Sequence, residues 1–362
     1  MSLRKLVTIR KIVEITPIEG ADLIELVRVD GWRSVVKKNQ FKVGDYAVYF
    51  EIDSFLPIEP RYEFLRQKYS KKMIVEGKGE VEGKGEVEGI RLRTVTFKGK
   101  ISQGLILPLS DFPEFDLSTD IGIDLSEKIG VLKYEQPIPA CIAGKIRRAI
   151  PSCIKKTDQL RIQNALDFFE IFKDVEFEET EKEDGTSTSY YLYNNEFCVA
   201  GHNWELRKTD KNVMWRLTEK YGFEEALRYI GKEVALQGET VGEGIQKNPM
   251  LIKNNAFHIF DIFDIKEGRY MIPEERYEYL DKVNSFLDSD KRILHVPIIN
   301  KNIKIFQVCR NVDEILNRAC GDTIYTKGRK REGLVFKCTK LINGINVTFK
   351  AVDDRQLAKE KD

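Results

Sequence analysis

Residues 24–36 read IELVRVDGWRSVV, and this stretch decides the predicted fold of the first third of the chain. Asp30-Gly31 separates two β-rich segments, and Asp-Gly in this setting is a strong short-range sign of a β-hairpin. Outward from the hairpin, further β-rich segments occupy residues 6–18, 41–50, 90–97 and 104–109. Turn residues separate these five segments, so the region is predicted to be a small β domain.

Five short strands of this kind favour a closed barrel, and the oligonucleotide-binding (OB) barrel is the commonest such design. A generic β-sandwich is the alternative. Residues 76–89 interrupt the domain with EGKGEVEGKGEVEG, a hexapeptide given twice and begun again. Its glycines and glutamates predict a solvated inserted loop, with an extended hairpin arm as the alternative.

The composition indicates a soluble globular protein of two or three domains, with 362 residues, 42% hydrophobic and 32% charged. The net charge of +1 provides no global attraction to nucleic acid, so any such binding must use local patches. We found neither an apolar run of membrane-spanning length nor a signal-peptide core, and therefore expect an intracellular, soluble protein without a membrane partner. The six cysteines and three histidines are scattered, which argues against structural zinc and a disulfide framework.

A boundary between domains is predicted where prolines and glycine coincide with positive charge, at residues 126–155. The residues that mark this region are Pro137, Pro139, Gly144, Pro151, Lys145, Arg147, Arg148, Lys155 and Lys156. A solvated linker and a strip that contacts phosphates are equally compatible with this composition. The predicted domains are accordingly 1–125 for the OB fold, 126–155 for the basic linker and 156–362 for a larger domain.

The larger domain mixes strands and helices without regular βαβ alternation, which favours an α+β fold with largely antiparallel sheets flanked by helices. Hydrophobic periodicity predicts strands at 190–198, 233–237, 256–265, 333–338 and 346–351. It predicts helices at 213–230, 273–287 and 312–319.

An ordered set of short motifs in this domain predicts its chemistry. Lys182-Glu183-Asp184-Gly185 is followed by Gly238-Glu239, by Glu332 to Lys337, and by Phe349-Lys350-Ala351. Each motif alone is weak, because a Lys-x-Asp-Gly tetrad arises by chance and Asp-Gly is more often only a turn. Together and in this order they supply a lysine nucleophile, two carboxylates and a second lysine. These groups suit attack on the α-phosphate of a nucleotide.

Each candidate has a chemical reason. Lys182 must lose its proton to attack phosphorus, so we expect Lys350 or a divalent cation to lower its pKa. Gly185 would let the backbone approach the nucleotide without a Cβ clash. Glu239 and Glu332 are expected to accept a ribose hydroxyl or to hold magnesium through its waters. A phenylalanine of the strand FHIFDI would stack on the base, and Phe260 is preferred to Phe257.

The set resembles the covalent nucleotidyltransferases, and most of all the ATP-dependent RNA ligases with an N-terminal OB domain, the fifth RNA ligase family. The resemblance covers nearly the whole chain. After the β domain it rests on KTDQLRIQN (156–164), KEDG, LQGETVGEGIQ (236–246), FHIFDI, REGLVFK (331–337) and TFKAV (348–352).

The resemblance implies a fold and a reaction: an adenylyltransferase domain that joins RNA 3′-hydroxyl and 5′-phosphate ends through lysyl-AMP and adenylylated RNA, in RNA repair. It implies that Lys182 is the nucleophile, that Lys350 holds the α-phosphate, and that ATP with Mg²⁺ or Mn²⁺ is required. Phe260, Gly185, Lys337, Arg161 and Gln163 are the residues expected to bind the nucleotide. The expected partners are ATP and RNA ends, including a nicked duplex, and the protein is expected to act as a monomer.

The chain departs from the family pattern at two positions. A Ser-Arg-Asn usually follows the strand after the nucleophile, and Gly201-His202-Asn203 stands here instead. A second lysine usually follows the first by two positions in the last motif, where this chain has Val352. A DNA ligase, a guanylyl-transferring capping enzyme and a non-catalytic RNA-binding OB protein are the competing hypotheses.

Overall fold

The structure is a computed structural model, and it describes residues 4–76, 84–135, 145–353 and 358. These residues fall into two compact units, the first within Ser2–Pro139 and the second within Ala140–Asp353. In the described residues of both units, no helix is long and apolar enough to cross a membrane.

The first unit is built of short strands with one α-helix, α1 (Glu63–Tyr69), among its described residues. The strands are β1 (Val7–Pro17), β2 (Ile24–Val29), β3 (Trp32–Lys37), β4 (Tyr46–Phe50), β5 (Ser54–Leu56), β6 (Ser70–Glu76), β7 (Lys84–Arg91), β8 (Val95–Phe97), β9 (Lys100–Ser102), β10 (Leu105–Pro108) and β11 (Leu132–Lys133).

The predicted hairpin is present: β2 and β3 pair antiparallel, and Asp30 between them adopts a positive φ of 50°. They belong to a five-stranded sheet of order β10-β4-β1-β2-β3. Strand β1 serves two neighbours, because an irregularity between Ile12 and Glu14 divides its pairing between β4 and β2. The far edges of the sheet meet where the Gln103 amide donates to the Arg33 carbonyl at 2.8 Å, so the sheet curls into the expected OB-type barrel.

The segment 90–97 is not a barrel strand, contrary to the prediction. Its first part ends β7, which joins a second sheet of order β11-β5-β7-β6, and its second part forms β8, which pairs only with β9. The reason is local, because the inserted hairpin of β6 and β7 takes the residues that alternation alone assigned to the barrel. Of the Gly/Glu repeat, residues 76 and 84–89 therefore lie in paired strands, and residues 77–83 lie outside the described residues.

The second unit contains thirteen strands and six helices in its described residues. The strands are β12 (Ile146–Ala149), β13 (Leu160–Arg161), β14 (Phe177–Lys182), β15 (Thr186–Tyr193), β16 (Glu196–Ala200), β17 (Trp204–Leu206), β18 (Val234–Val241), β19 (Ala256–Asp264), β20 (Arg269–Tyr270), β21 (Leu294–His295), β22 (Ile298–Ile303), β23 (Gly333–Cys338) and β24 (Thr348–Val352). The helices are α2 (Phe168–Ile171), α3 (Val213–Tyr221), α4 (Phe223–Ile230), α5 (Pro273–Phe286), α6 (Ile305–Val308) and α7 (Val312–Ala319).

Two sheets organise this unit, and both are largely antiparallel, which confirms the predicted α+β class. The larger runs β12-β17-β16-β15-β18-β19-β20, with β21 parallel to β19, and the smaller runs β13-β24-β23-β14-β22. Each sheet has its own apolar core. One core packs α3, α4 and α5 against β15, β18 and β19, and the other packs α6 and α7 against β14, β23 and β24.

Two further sequence predictions are wrong in detail. The predicted strand 190–198 is a hairpin of β15 and β16, turned at Asn194 and Asn195, which both adopt positive φ. The predicted helix 213–230 is two helices, because Gly222 adopts a left-handed φ of 68° and ends α3.

Residues 126–155 were predicted to form a basic linker between the domains. Leu132–Lys133 is a strand of the first unit and Ile146–Ala149 is a strand of the larger sheet in the second unit. Backbone pairing with β5 and β17 therefore continues into this basic segment from both sides. Pro137, Pro139 and Gly144 lie outside the described residues.

Candidate active site

The motif Lys182-Glu183-Asp184-Gly185 connects the two sheets of the second unit. Lys182 is the last residue of β14 and pairs with Gly333 of β23 in the smaller sheet. Four residues later β15 begins, and Thr186 pairs with Thr240 of β18 in the larger sheet. The tetrad is therefore fixed at both ends by backbone hydrogen bonds, as a nucleophile requires.

A cavity of about 280 Å³ lies at this junction. Predicted site residues that line it are Lys182, Gly185, Glu239, Phe260, Lys337 and Lys350. Its other walls are Thr157, Asp158, Gln159, Thr180, Glu181, Glu183, Ser187, His202, Val296 and Val335. The structure thus brings together predicted residues from five of the sequence motifs, which are up to 168 positions apart.

Gly185 lines this cavity, but the neighbouring strand already requires a glycine at this position. A Cβ at Gly185 would stand 2.5 Å from the Thr240 carbonyl oxygen and 2.8 Å from the Glu239 Cγ. Both contacts are shorter than van der Waals contact, so β18 could not lie where it does beside any larger residue. The close approach that the sequence assigned to a nucleotide is made by the protein itself.

Carboxylates surround Lys182. Its Nζ donates to the Glu332 Oε2 at 2.6 Å, and the two side chains are only 24% and 22% exposed. Burial alone would lower the pKa of Lys182, but the charges of Glu332, Glu239 and Asp184 outweigh it and raise the pKa above 10.5. A lowered pKa was expected from Lys350 or a divalent cation, and the protein's own charges shift the pKa of Lys182 the other way, because acids rather than bases are its nearest charged neighbours.

The same group of acidic side chains also shifts the pKa of Glu239. Burial, followed by the negative charges of Glu332, Glu183 and Asp184, raises its pKa from 4.5 to about 8, although Lys182 opposes the shift. A carboxyl with this pKa is predominantly protonated at neutral pH.

Lys350 lies among positive charges. The parallel pairing of β13 with β24 places Arg161 opposite Lys350 in register. Burial and then the charges of Arg161 and Lys182 lower the pKa of Lys350 to about 7. An anion bound beside Lys350 would reverse this shift, and a phosphate is the anion that such a pair of cations suits.

The strand β19 presents Phe260 to the cavity through a β-bulge. Gln237 of β18 pairs with Asp261 and the next residue, Gly238, pairs with Ile259, so Phe260 is the additional residue between them. Phe260 is partly exposed and lines the cavity, whereas Phe257 is fully buried in the larger core. This placement favours Phe260 over Phe257 as the residue that stacks on a base.

Lys337 lines the cavity but is held by protein groups. Its Nζ lies 2.8 Å from the Asp261 Oδ1, donates to the Phe260 carbonyl and stands 5.4 Å from the centre of the Phe260 ring. Burial lowers the pKa of this lysine despite the charge of Asp261. Lys337 therefore fixes the bulge that presents Phe260.

Two of the predicted nucleotide contacts are not lining residues of the cavity. Arg161 is not a lining residue, although its register partner Lys350 is. Gln163 is fully buried in a 3₁₀ turn, Ile162–Asn164, and is not a cavity residue either. Neither side-chain polar atom of Gln163 has a hydrogen-bond partner among the described residues.

Sequence reasoning missed the acidic strand on which Lys182 sits. Glu178, Glu179, Glu181 and Glu183 are all buried, which is unusual for glutamate unless each is paired. Their partners are Arg276 and Tyr277 for Glu178, Arg318 and Asn300 for Glu179, Thr323 and Ile324 for Glu181, and His258 and Tyr325 for Glu183. The run of glutamates in the sequence was the available signal for these buried pairs.

Two arginines of the basic segment before β13 form ion pairs within the larger sheet. Arg147 and Arg148 lie in β12, where both pair with Glu196 and Arg148 also approaches Glu205 at 2.7 Å. At the position where the family pattern has an arginine, His202 is exposed and lines the cavity, and its neighbour Asn203 accepts from Lys156 at 2.8 Å.

Two family models match parts of the chain. A family model described as RNA ligase matches residues 175–352, and one described as an OB-fold domain matches residues 6–109. No curated protein matches the chain.

Solved structures of an RNA ligase from Naegleria gruberi are similar over the whole chain. A glutamate-to-alanine mutant with AMP and Mn is 38% identical, with 99% of each chain covered and a TM-score of 0.82. The ligase with PPi is 39% identical, with 99% of each chain covered and a TM-score of 0.80. A lysine-to-alanine mutant with ATP and Mn is 38% identical over 98% of this chain and 99% of that chain, with a TM-score of 0.80.

Proposed function

Because this chain belongs to the RNA ligase family, we propose that it joins RNA 3′-hydroxyl and 5′-phosphate ends at the expense of ATP, through a lysyl-AMP intermediate on Lys182. The carrying observation is the position of Lys182, which is fixed between two sheets at the wall of a cavity and faces carboxylates on one side. The Naegleria gruberi ligase has been solved with ATP, AMP, PPi and Mn, which are the substrate, products and metal of such a reaction.

In the first step the Lys182 Nζ attacks the α-phosphorus of ATP. A P–N bond forms, the bond from the α-phosphorus to the bridging oxygen breaks, and pyrophosphate leaves. Lys182 must first give up a proton, and the carboxylate that holds it at 2.6 Å, Glu332, is the nearest acceptor. The raised pKa of Lys182 means that this deprotonation must be assisted by what binds in the cavity.

Lys350 supplies positive charge to the α-phosphate in this proposal, with Arg161 behind it. A pKa of about 7 for Lys350 in the ligand-free protein reflects burial and repulsion that an incoming phosphate would relieve. The same phosphate therefore restores the charge that stabilises the developing negative oxygens in the transition state. Phe260 stacks on the adenine, and Lys337 holds its bulge in place.

The carboxylates suit a hard divalent cation held largely through water. Among the described residues no three acidic, histidine or cysteine side chains converge for direct metal binding. Burial, and after it the charges of Glu332, Glu183 and Asp184, raise the pKa of Glu239 to about 8 although Lys182 opposes the shift, and a cation would relieve the repulsion between these acids. When bound, Mg²⁺ or Mn²⁺ would supply positive charge to the phosphates, and Glu239 and Glu332 would hold its waters.

Two further steps complete the reaction. The RNA 5′-phosphate attacks the phosphorus of lysyl-AMP, which breaks the P–N bond and transfers AMP to the RNA end. The 3′-hydroxyl then attacks the 5′-phosphate phosphorus, a phosphodiester forms and AMP leaves. We propose RNA repair as the setting and a nicked duplex as one substrate. All cavity residues come from one unit of one chain, which is compatible with a monomer.

Labelling with ATP or GTP tests this function. Wild-type protein and Lys182→Met are incubated with either labelled nucleotide and Mn²⁺, and the intact mass is measured. A gain of one adenylate from ATP in the wild type alone supports the proposal. Transfer of guanylate would indicate a capping enzyme, and failure of both nucleotides to label would indicate a binding protein.

Substrate choice is tested on nicked duplexes in which each broken strand is either RNA or DNA. Sealing that requires RNA at the 3′-hydroxyl side identifies the acceptor as RNA. Equal sealing of an all-DNA nick would contradict the proposed substrate class while leaving the adenylylation chemistry intact.

A further inference from the structure

A loop rich in positive charge is attached to both neighbours of the nucleophile. Residues 322–331, here called the basic loop, read DTIYTKGRKR and contain four cations and one carboxylate. Glu181 accepts the Thr323 hydroxyl and the Ile324 amide, the latter at 3.0 Å. Glu183 accepts the Tyr325 hydroxyl. The loop is thus anchored to β14 immediately before and after Lys182.

The basic loop has a defined backbone shape. Asp322 accepts the Gly328 amide at 2.8 Å and the Lys330 ammonium at 2.7 Å, and the Thr323 amide donates to the Arg329 carbonyl at 2.7 Å. The tip is a turn in which the Arg329 amide donates to the Thr326 carbonyl at 3.1 Å. Gly328 adopts a φ of 84° at the third position of this turn, where a positive φ favours glycine.

Two of the four cations are used to hold the loop, and two are not. Lys330 pairs with Asp322, and Arg331 donates to the last carbonyls of α7, those of Arg318 and Ala319. Lys327 and Arg329 flank Gly328 at the tip and are exposed. Neither forms an ion pair with any residue that the structure describes.

The tip presents its charge outside the nucleotide cavity. No described residue of 322–331 lines that cavity, so phosphates of a nucleotide inside it are not the partners that the tip faces. The chain reaches from Tyr325 to Lys327 over at most about 7 Å, which keeps the tip close to the nucleophile strand. An anion that passes beside Lys182 and continues beyond the cavity is a polynucleotide backbone.

We propose that Lys327 and Arg329 at the tip of the basic loop bind backbone phosphates of the RNA beside the ends that are joined. The inference rests on the proposed function, because it assigns the partner of the same site. The hydrogen bonds of the basic loop to Glu181 and Glu183 would fix the distance between the bound phosphates and Lys182.

The test compares the double variant K327A/R329A with K266A/K282A, which removes two exposed lysines that likewise pair with no described acid. Binding to a nicked RNA duplex is measured without ATP at increasing KCl, and adenylylation is measured without RNA. The tip variant should bind about 10-fold more weakly at low salt, and its salt slope should fall by about 1 to 2 relative to the wild type. Adenylylation should stay within about 2-fold of wild type in both variants, and K327R/R329K should keep the wild-type slope.

Equal salt slopes for the tip and control variants would overturn the proposal. A large loss of adenylylation in K327A/R329A with an unchanged slope would also overturn it, because the cations would then serve ATP. Since RNA binding is measured without ATP, a wild-type protein that binds RNA but does not adenylylate contradicts the proposed function and leaves this inference standing.

Discussion

Lys182 and Lys350 lie on different strands around the same cavity, and their charged neighbours have opposite signs. Lys182 is hydrogen-bonded to Glu332 and surrounded by further acids, which raise its pKa. Lys350 lies opposite Arg161, and burial together with that charge lowers its pKa to about 7. At neutral pH Lys182 is therefore charged, whereas Lys350 is only about half charged.

This difference shows that each side of the cavity carries the charge opposite to that of the ligand proposed for it. Carboxylates lie where the cation is proposed, and Lys350 with Arg161 lies where the phosphate is proposed. A cation beside Glu239 and Glu332 would weaken their hold on the proton of Lys182, and a phosphate beside Lys350 would return the charge that repulsion removes. We infer that ATP with its metal inverts the protonation of the two lysines. The following predictions test this contrast.

The largest effect is expected when the nucleophile is removed. Lys182→Met should reduce formation of protein-bound adenylate by at least about 10⁴-fold, to below detection by intact mass, because no other group is placed to form the P–N bond. Lys266→Met, at an exposed position, is the matched control and should label normally. Peptide mapping that located the adenylate on Lys350 would reverse the two roles and break the contrast.

Removing the second lysine should slow the step without abolishing it. Lys350→Met should lower the rate of adenylylation by about 10²- to 10³-fold, as the loss of one charge-stabilising donor does, while the label remains on Lys182. Single-turnover kinetics at saturating ATP measures this rate. Lys350→Arg keeps the positive charge and should recover part of the lost adenylylation rate. An unchanged rate in Lys350→Met would exclude contact of Lys350 with the α-phosphate.

The contrast in pKa is open to direct measurement by competitive acetylation. Without ATP at about pH 8, Lys350 is mostly neutral and Lys182 almost wholly charged, so intrinsic reactivity of Lys350 should exceed that of Lys182 by on the order of 10²-fold. Mass spectrometry of the labelled peptides, referenced to the same peptides in unfolded protein, gives the ratio. Addition of an ATP analogue and metal should bring the ratio of the two reactivities closer to one. Similar reactivities of Lys350 and Lys182 before this addition would refute the contrast.

The smallest effect concerns stability. The pKa of Glu239 is raised from 4.5 to about 8 on folding, so its contribution is fully present below about pH 4.5 and is lost as the pH rises through 8. The free energy of unfolding of the wild type should therefore decline between about pH 5 and 8. In Glu239→Gln, which has no carboxyl to titrate at this position, the decline should be smaller by on the order of 1–3 kcal/mol. Urea unfolding at several pH values measures it. Glu243→Gln at an exposed position is the control, and parallel curves for wild type and Glu239→Gln would contradict the raised pKa.

The local sequence pattern was sufficient to predict the structure where a single residue or a single hydrophobic period determines it. The Asp30-Gly31 hairpin, the strand that Glu332 precedes and the charged residue inside the strand TFKAV were all readable from the sequence. Prediction failed where a partner decided the result, as in the inserted hairpin that takes residues 90–91 from the barrel. It also failed at Gly222, whose positive φ divides a periodic helical stretch that reads as continuous.

The sequence by itself determined which chemical groups are available, because the order Lys182, Glu239, Glu332, Lys350 is a property of the chain. Only the tertiary structure decided the protonation states of these groups and the residues that surround them. Buried glutamates on β14 survive because arginine, tyrosine and histidine residues from distant segments satisfy them, and Lys182 is charged because Glu332 lies 2.6 Å away. A pKa depends on distance and burial, and neither is written in the order of the residues.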